Sequence, residues 1–230
     1  MNLLKKIKSI KNNEWLKNEV KDFFKDLAII VVVVIVIRTF IAMPFQISWQ
    51  SMYESYYDKW FIIVDRISYS FWSPKRGDVV VFKPNVNNDK KYFLKRIIWI
   101  PGDTIKIEDG EVYVKAAWET DFILLEENYL NIENRGYTFI WISKAPKIYE
   151  LGKNDYFVMW DNRNHSTDSR ECFSNCAGRS EFVSKKDIIW KVFMDLGYFN
   201  LKQLSFIQPN LGIVTTPKFF SSESTHNYGF

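Results

Sequence analysis

From Leu27 to Ile37 the chain is unbroken apolar sequence, and after Arg38 apolar character resumes from Phe40 to Phe45. That run alone is shorter than the roughly 20 residues that cross a bilayer. Extended from Phe23 to Met43 it is long enough, with Lys25, Asp26 and Arg38 near enough to its ends to reach the interface. The pattern predicts one transmembrane helix over residues 23–43. Beyond it the period becomes two. Short β-like runs occur at Phe61–Val64, Asp78–Phe82, Tyr92–Ile100, Thr104–Glu108, Glu111–Val114, Tyr137–Ile142, Tyr156–Met159 and Ile188–Phe193. Asp109-Gly110, between two of these runs, signals a hairpin. No long amphipathic helix interrupts them, so the expected fold class is mainly β.

Residues 116–150 are less clearly patterned and read as a small inserted β subdomain. The predicted organisation is a basic head over 1–22, the helix over 23–43, a β domain over 44–115 and 151–200, the insertion, and a tail over 201–230. The end of the tail, from about residue 214, is rich in Ser and Thr and is expected to fray.

Charge orients this arrangement. Lys5, Lys6, Lys8, Lys11, Lys17 and Lys21 outnumber Glu14, Glu19 and Asp22 in the head, which places the N-terminus in the cytoplasm and the β domain outside the cell. A net charge of +4, with lysines and acids interleaved, gives no case for nucleic acid. Cys172 and Cys176 would then sit in an oxidising compartment, where a short-loop disulfide and two free thiols are both open. With only His165 and His226 to assist them, no metal site is expected.

The candidate chemistry lies in Ser51-Met52 and in the segment from Phe93 to Asp103. A serine hydroxyl needs a base, and a lysine amine serves at neutral pH only when burial lowers its pKa. With period two, Phe93, Lys95 and Ile97 share one strand face, so Lys95 is expected to be desolvated. Arg96 falls on the opposite face, and a guanidinium does not deprotonate.

Three segments in order, Ile47 to Met52, Lys95 to Asp103 and Tyr156 to Arg170, resemble the nucleophile, lysine and third boxes of bacterial type I signal peptidases. The resemblance runs from the apolar helix to about residue 193. It implies a membrane-anchored serine endopeptidase with a signal-peptidase-like β domain. Ser51 would be the nucleophile, Lys95 the general base, and Ser166 the residue that orients the amine. The Ser51 backbone N–H would donate to the oxyanion. Asp161, Asn162, Arg163, Asp168 and Arg170 would brace the site. Phe45, Ile47, Trp49 and Ile62 would line shallow substrate-binding pockets for small residues. The implied partners are the signal peptides of exported preproteins and membrane lipid, with a monomeric enzyme and no cofactor. The competing reading is a catalytically inactive membrane-bound homologue that binds export partners.

Two departures stand out. The family commonly continues Ser-Met-x-Pro-Thr-Leu, whereas this chain has Ser51-Met52-Tyr53-Glu54-Ser55-Tyr56. Moreover, Trp49, Trp99, Trp160 and Trp190 stand where the resemblance leads to glycine, and Trp72 occupies a turn where glycine is natural. Glycine and tryptophan occur 9 times each in 230 residues. Together they make up about the usual 7% glycine share. UGA codons, read as glycine in some bacterial lineages and as tryptophan in others, are one reading of this pattern; the other is a genuine tryptophan-rich, inactive homologue. UGG codons at positions 49, 99 and 160 would exclude the first. With the indoles in place, Trp49 is expected to crowd the oxyanion region and Trp160 the third box.

Overall fold

The computed structural model describes residues 14–48, 50–53, 55–83, 92–140, 147–165, 167–174, 180–208, 212–213, 218–219 and 225–229. Residues 1–41 and 42–230 form two units.

In the first, α1 (Glu14–Val36) is followed directly by a π-helical turn, Ile37–Ile41. Its described side chains are exposed. Among the described residues no helix is long and apolar enough to cross a membrane. The physical reason is visible in the sequence: Glu19, Lys21, Asp22, Lys25 and Asp26 fall within α1, and the uncharged run starts only at Leu27. Helical structure stops at Ile41 rather than at Met43, which lies in a strand. Pro44 explains the early stop, because it lacks an N–H and disfavours helical geometry in the residue before it.

The second unit is mainly β, as its patterning predicts. In chain order the strands are β1 (Ala42–Gln46), β2 (Phe61–Asp65), β3 (Val79–Phe82), β4 (Phe93–Trp99), β5 (Thr104–Glu108), β6 (Glu111–Lys115), β7 (Ile123–Leu124), β8 (Lys147–Glu150), β9 (Asp155–Met159), β10 (Val183–Ser184) and β11 (Ile188–Asn200). The last three are β12 (Ser205–Gln208), β13 (Gly212–Ile213) and β14 (Lys218–Phe219), and a single turn, α2 (Ser68–Phe71), follows β2. The larger sheet runs β1-β2-β11-β3-β4-β9-β10, with β12 and β14 also paired to β11 and β13 to β12. The smaller runs β7-β6-β5-β8 and so combines the predicted β5–β6 hairpin with strands from residues 116–150.

Side-chain alternation builds the two cores. In β5 and β6, Ile105, Ile107, Val112 and Val114 point inward and pack with Trp99, Tyr149 and Phe157. Both residues of the Asp109-Gly110 turn have positive φ, the type I′ geometry that two-residue hairpins favour. β3 and β4 are covered on both faces, and Lys95 to Trp99 are all buried. Of the predicted runs, Tyr137–Ile142 forms no strand over its described part. Thr138 N–H donates to the Gly110 carbonyl (2.8 Å), and the Phe139 carbonyl accepts from Arg170 (2.8 Å), so these groups are not free for a ladder.

The end of the tail packs where fraying was expected. Thr225 bridges Asp78, and His226 N–H donates to the Gly77 carbonyl at 3.1 Å. Gly77 permits this approach: its φ is +86°, and a Cβ there would lie 1.8 Å from the His226 carbonyl oxygen.

The tryptophans fall into distinct settings. Trp99 and Trp190 are buried at register shifts, β4 against β9 and β11 against β3. Trp72 is exposed with φ −121°, an extended conformation open to any residue, so its turn does not demand glycine. Trp49 lies outside the described residues.

Candidate active site

Ser51 opens the turn that follows β1, and it borders an open cleft of about 1480 Å³. Met52, the second residue of the Ser-Met pair, is fully buried, and its carbonyl accepts from Tyr56 N–H at 2.7 Å. Burial of that methionine anchors the turn and leaves Ser51 at its edge, 7% exposed. Asn162 clamps the same turn from the other side. Its backbone N–H donates to the Ser51 carbonyl and its side-chain amide to the Gln50 carbonyl, both at 3.1 Å. Among the described residues nothing accepts a hydrogen bond from the Ser51 N–H.

Lys95 lies in β4, between β3 and β9, with no exposed surface. Its ammonium nitrogen donates to the Leu94 carbonyl at 3.2 Å and otherwise faces rings. The Trp160, Phe93 and Phe82 centroids lie 3.4, 4.9 and 5.9 Å away. Burial pushes its pKa well below the usual lysine value, and the Asp168 carboxylate opposes that shift only in part. Lys95 is therefore chemically suited to be a neutral amine. Among the described residues, however, no hydrogen bond joins Ser51 Oγ to Lys95 Nζ. Trp160, half-buried, borders the cleft beside Ser51 and also lies against the amine.

The charged residues of the third box form a buried network. Arg96 reaches from the other face of β4 to Asp161, with Nε to Oδ1 at 2.9 Å and Nη2 to Oδ2 at 2.7 Å. Burial alone would depress the guanidinium pKa, but Asp161 reverses the effect and holds it raised. Asp168 accepts three bonds from Arg170, at 2.9 to 3.0 Å, and one from Trp160 N–H at 3.2 Å. Arg163 donates to the Trp160 carbonyl at 2.7 Å and pairs with Glu127 at 2.5 Å. The Trp160 peptide unit is thus held at both its N–H and its carbonyl.

Other sequence candidates have different surroundings. Ile47 and Ile62 are buried in the core cluster around Met52, and Phe45 packs on it against Tyr92 and Trp190. None of the three is among the residues lining the cleft. Trp49 and Ser166 lie outside the described residues, as does Cys176. Cys172 is disulfide-bonded. Among the described residues no group of His, Cys, Asp or Glu side chains is placed to hold a metal ion. The sequence reading missed the contribution of residues 116–150: Glu127 and Tyr129 bind Arg163, while Asn131 and Glu133 line the cleft. Their segment carried no periodic signal.

Residues 20–196 match the family described as signal peptidase, peptidase S26. The chain belongs to the S26 signal peptidase family. It is similar to a probable signal peptidase I-2 of Synechocystis, at 34% identity over 174 residues, covering 72% of this chain and 69% of that one. It is also similar to signal peptidase I S of Bacillus subtilis, at 30% identity over 172 residues, covering 73% and 90%. A crystal structure of a signal peptidase I from Enterococcus faecalis aligns over 53% of this chain and 97% of its own, at 24% identity and a TM-score of 0.39. Family membership rests on the sequence matches alone. The matched residues span the clamped turn, β4 and the carboxylate–guanidinium network described above.

Proposed function

We propose that this S26 family member removes signal peptides from exported preproteins with Ser51 as nucleophile and Lys95 as general base. The observation that carries the reading is the fully buried Lys95 amine, to which no carboxylate among the described residues is bonded and whose pKa burial lowers strongly. A neutral amine accepts the proton as Ser51 Oγ bonds to the scissile carbonyl carbon. The resulting oxyanion accepts from the Ser51 backbone N–H; one such donor is worth about 2.7–4 kcal/mol. Collapse of the adduct breaks the C–N bond, and the leaving amine takes the proton from Lys95. Water then hydrolyses the acyl ester with the same base. Ser166 would orient the amine by a hydrogen bond. This sequence of steps calls for no metal or organic cofactor.

Asp161, Asn162, Arg163, Asp168 and Arg170 act by positioning. Their bonds tie the third box to the nucleophile turn, to β4 and to Trp160. The helical run from Phe23 to Ile41, α-helical and then π-helical, would anchor the protein in membrane lipid with the basic head in the cytoplasm. At 1.5 Å per residue such a run measures roughly 28 Å, close to a hydrocarbon core. The proposed enzyme acts as a monomer. The catalytically inactive, partner-binding alternative is favoured by one observation, the Trp160 indole against Lys95 on a residue that lines the nucleophile cleft.

The test is cleavage of a preprotein by the full chain in detergent, with the new N-terminus read by mass spectrometry. Cleavage after small residues at the first and third positions before the cut is expected. Efficient cleavage with Lys or Trp at the first position would contradict the reading, because small pockets discriminate by excluding bulk.

A further inference from the structure

We infer that the Trp160 indole is a stopper between nucleophile and base, and that the side chain at position 160 decides whether Lys95 reaches Ser51. The inference rests on the Ser51/Lys95 reading and adds a residue that controls it. One residue belongs to the surroundings of both partners. Its ring centroid lies 3.4 Å from Lys95 Nζ, while the same residue lines the cleft that Ser51 borders. Lys95 has no exposed surface and is not among the cleft-lining residues. Of the three rings around the amine, the indole is the nearest and the one whose residue lines the cleft, which places it on the route from Ser51 to Lys95.

The backbone cannot move the ring away. Trp160 N–H is held by Asp168 at 3.2 Å and its carbonyl by Arg163 at 2.7 Å, and both of those side chains are fully buried. Only rotation of the side chain can open the path. The indole is also poorly satisfied: its Nε1–H is buried without an acceptor. An unpaired buried donor is unfavourable. Its face nevertheless lies directly against the amine. The stopper thus opposes catalysis by occupying the route. Glycine at this position removes the ring and leaves both backbone anchors in place, because they use the peptide N–H and C=O alone.

The experiment compares the full chain with Trp160→Gly, Trp160→Ala and Trp160→Phe. Preprotein cleavage and its pH profile are measured in detergent, and acetylation of Lys95 by acetic anhydride is followed by mass spectrometry against exposed Lys153 on the same molecules. The small side chains should raise the cleavage rate by roughly tenfold or more, the loss of one favourable contact in the closed state. They should also make Lys95 reactive and, by opening the amine to water, shift the rising limb of the pH profile to higher pH. Trp160→Phe, which retains an aromatic face, should remain near the parent chain.

Acetylation of Lys95 in the folded parent as fast as Lys153 would overturn the stopper without any variant. Parent and Trp160→Gly chains that cleave equally well, both silenced by Ser51→Ala, would also overturn it while leaving the Ser/Lys reading intact. Conversely, a Trp160→Gly chain whose Lys95 is reactive but which cleaves nothing upholds the stopper and removes the Ser/Lys reading.

Discussion

The two faces of β4 carry adjacent basic residues that are equally buried and have opposite electrostatic fates. Lys95 and Arg96 are both without exposed surface. Arg96 meets a bidentate carboxylate in Asp161, with the Tyr129 ring 4.1 Å from its guanidinium carbon. Lys95 meets three aromatic rings and one neighbouring carbonyl. Burial disfavours both charges, and only the partner differs. One face thereby becomes a permanently charged strut between β4 and the third box, while the other holds an amine that sheds its proton easily. Burial alone does not mark a base; burial without a compensating anion does.

The largest expected break in this comparison comes from Lys95→Met. Preprotein processing should fall on the order of a thousandfold or more, because nucleophile and base act as a unit. The thermal transition should survive, since an apolar side chain of similar length suits an aromatic pocket. Ser51→Ala should match it. Lys95→Arg should be equally inactive, because a guanidinium keeps its proton. Substantial residual processing by Lys95→Met in a folded chain would sink the dyad assignment.

On the other face the order of effects reverses, with stability failing first. Asp161→Ala removes the carboxylate that is ion-paired with the buried Arg96 guanidinium, a change that costs about 3–5 kcal/mol. Denaturant unfolding should show that loss directly. A cost below about 1 kcal/mol would mean that water reaches Arg96 and that the strut is weaker than its geometry implies.

Changing pH sharpens the contrast further. The folded-state pKa of Lys95 lies well below its unfolded value of 10.5. The folded chain therefore binds fewer protons than the unfolded chain between those two values, and its stability rises with pH across that window. The stability that goes with the depressed pKa is complete above 10.5 and is lost as pH falls through the folded-state pKa. Lys95→Met abolishes this dependence, so its stability gain over the parent should be largest at low pH and shrink towards pH 10. Processing by the parent chain should rise as pH climbs through the same depressed pKa. A flat difference in unfolding free energy, or a flat activity profile, would count against a neutral amine.

Much of this contrast was legible in the sequence. Period-two reading of Tyr92 to Ile98 separates Lys95 from Arg96, and the structure places them on opposite sides of β4 with different partners. The Asp109-Gly110 turn and most strand positions follow from equally local rules. Less legible was anything that depends on contacts distant along the chain. Phe45, Ile47 and Ile62 sit near Ser51 in sequence, but their apolar side chains are drawn into a core cluster away from the cleft lining. Glu127 and Tyr129 lie in a segment without periodicity, yet they complete the bonding of Arg163, because an arginine fork takes partners wherever the fold brings them. The helix was misjudged at its end by two residues, where the effect of Pro44 on its predecessors outweighed apolar continuity. The Ser/Thr-rich tail was misjudged because composition does not reveal that Gly77 leaves room for a backbone to dock.

That docked tail supplies the smallest test, at the outermost layer of the Arg96 face. Tyr228 is half-buried, and its hydroxyl lies 2.8 Å from that of Tyr129, the ring stacked over Arg96. Tyr129 keeps two further partners, Glu127 at 2.7 Å and Arg163 at 2.9 Å, so loss of the Tyr228 hydroxyl leaves it satisfied. Tyr228→Phe should therefore cost about 0.5–1.5 kcal/mol, the net worth of one hydrogen bond. Because the change falls on the paired face of β4, the pH profile of processing should not move with it. A shift of that profile in Tyr228→Phe would mean that the two faces are coupled through Arg96 and Asp161. The base would then owe its behaviour to the whole network rather than to the aromatic pocket around its amine.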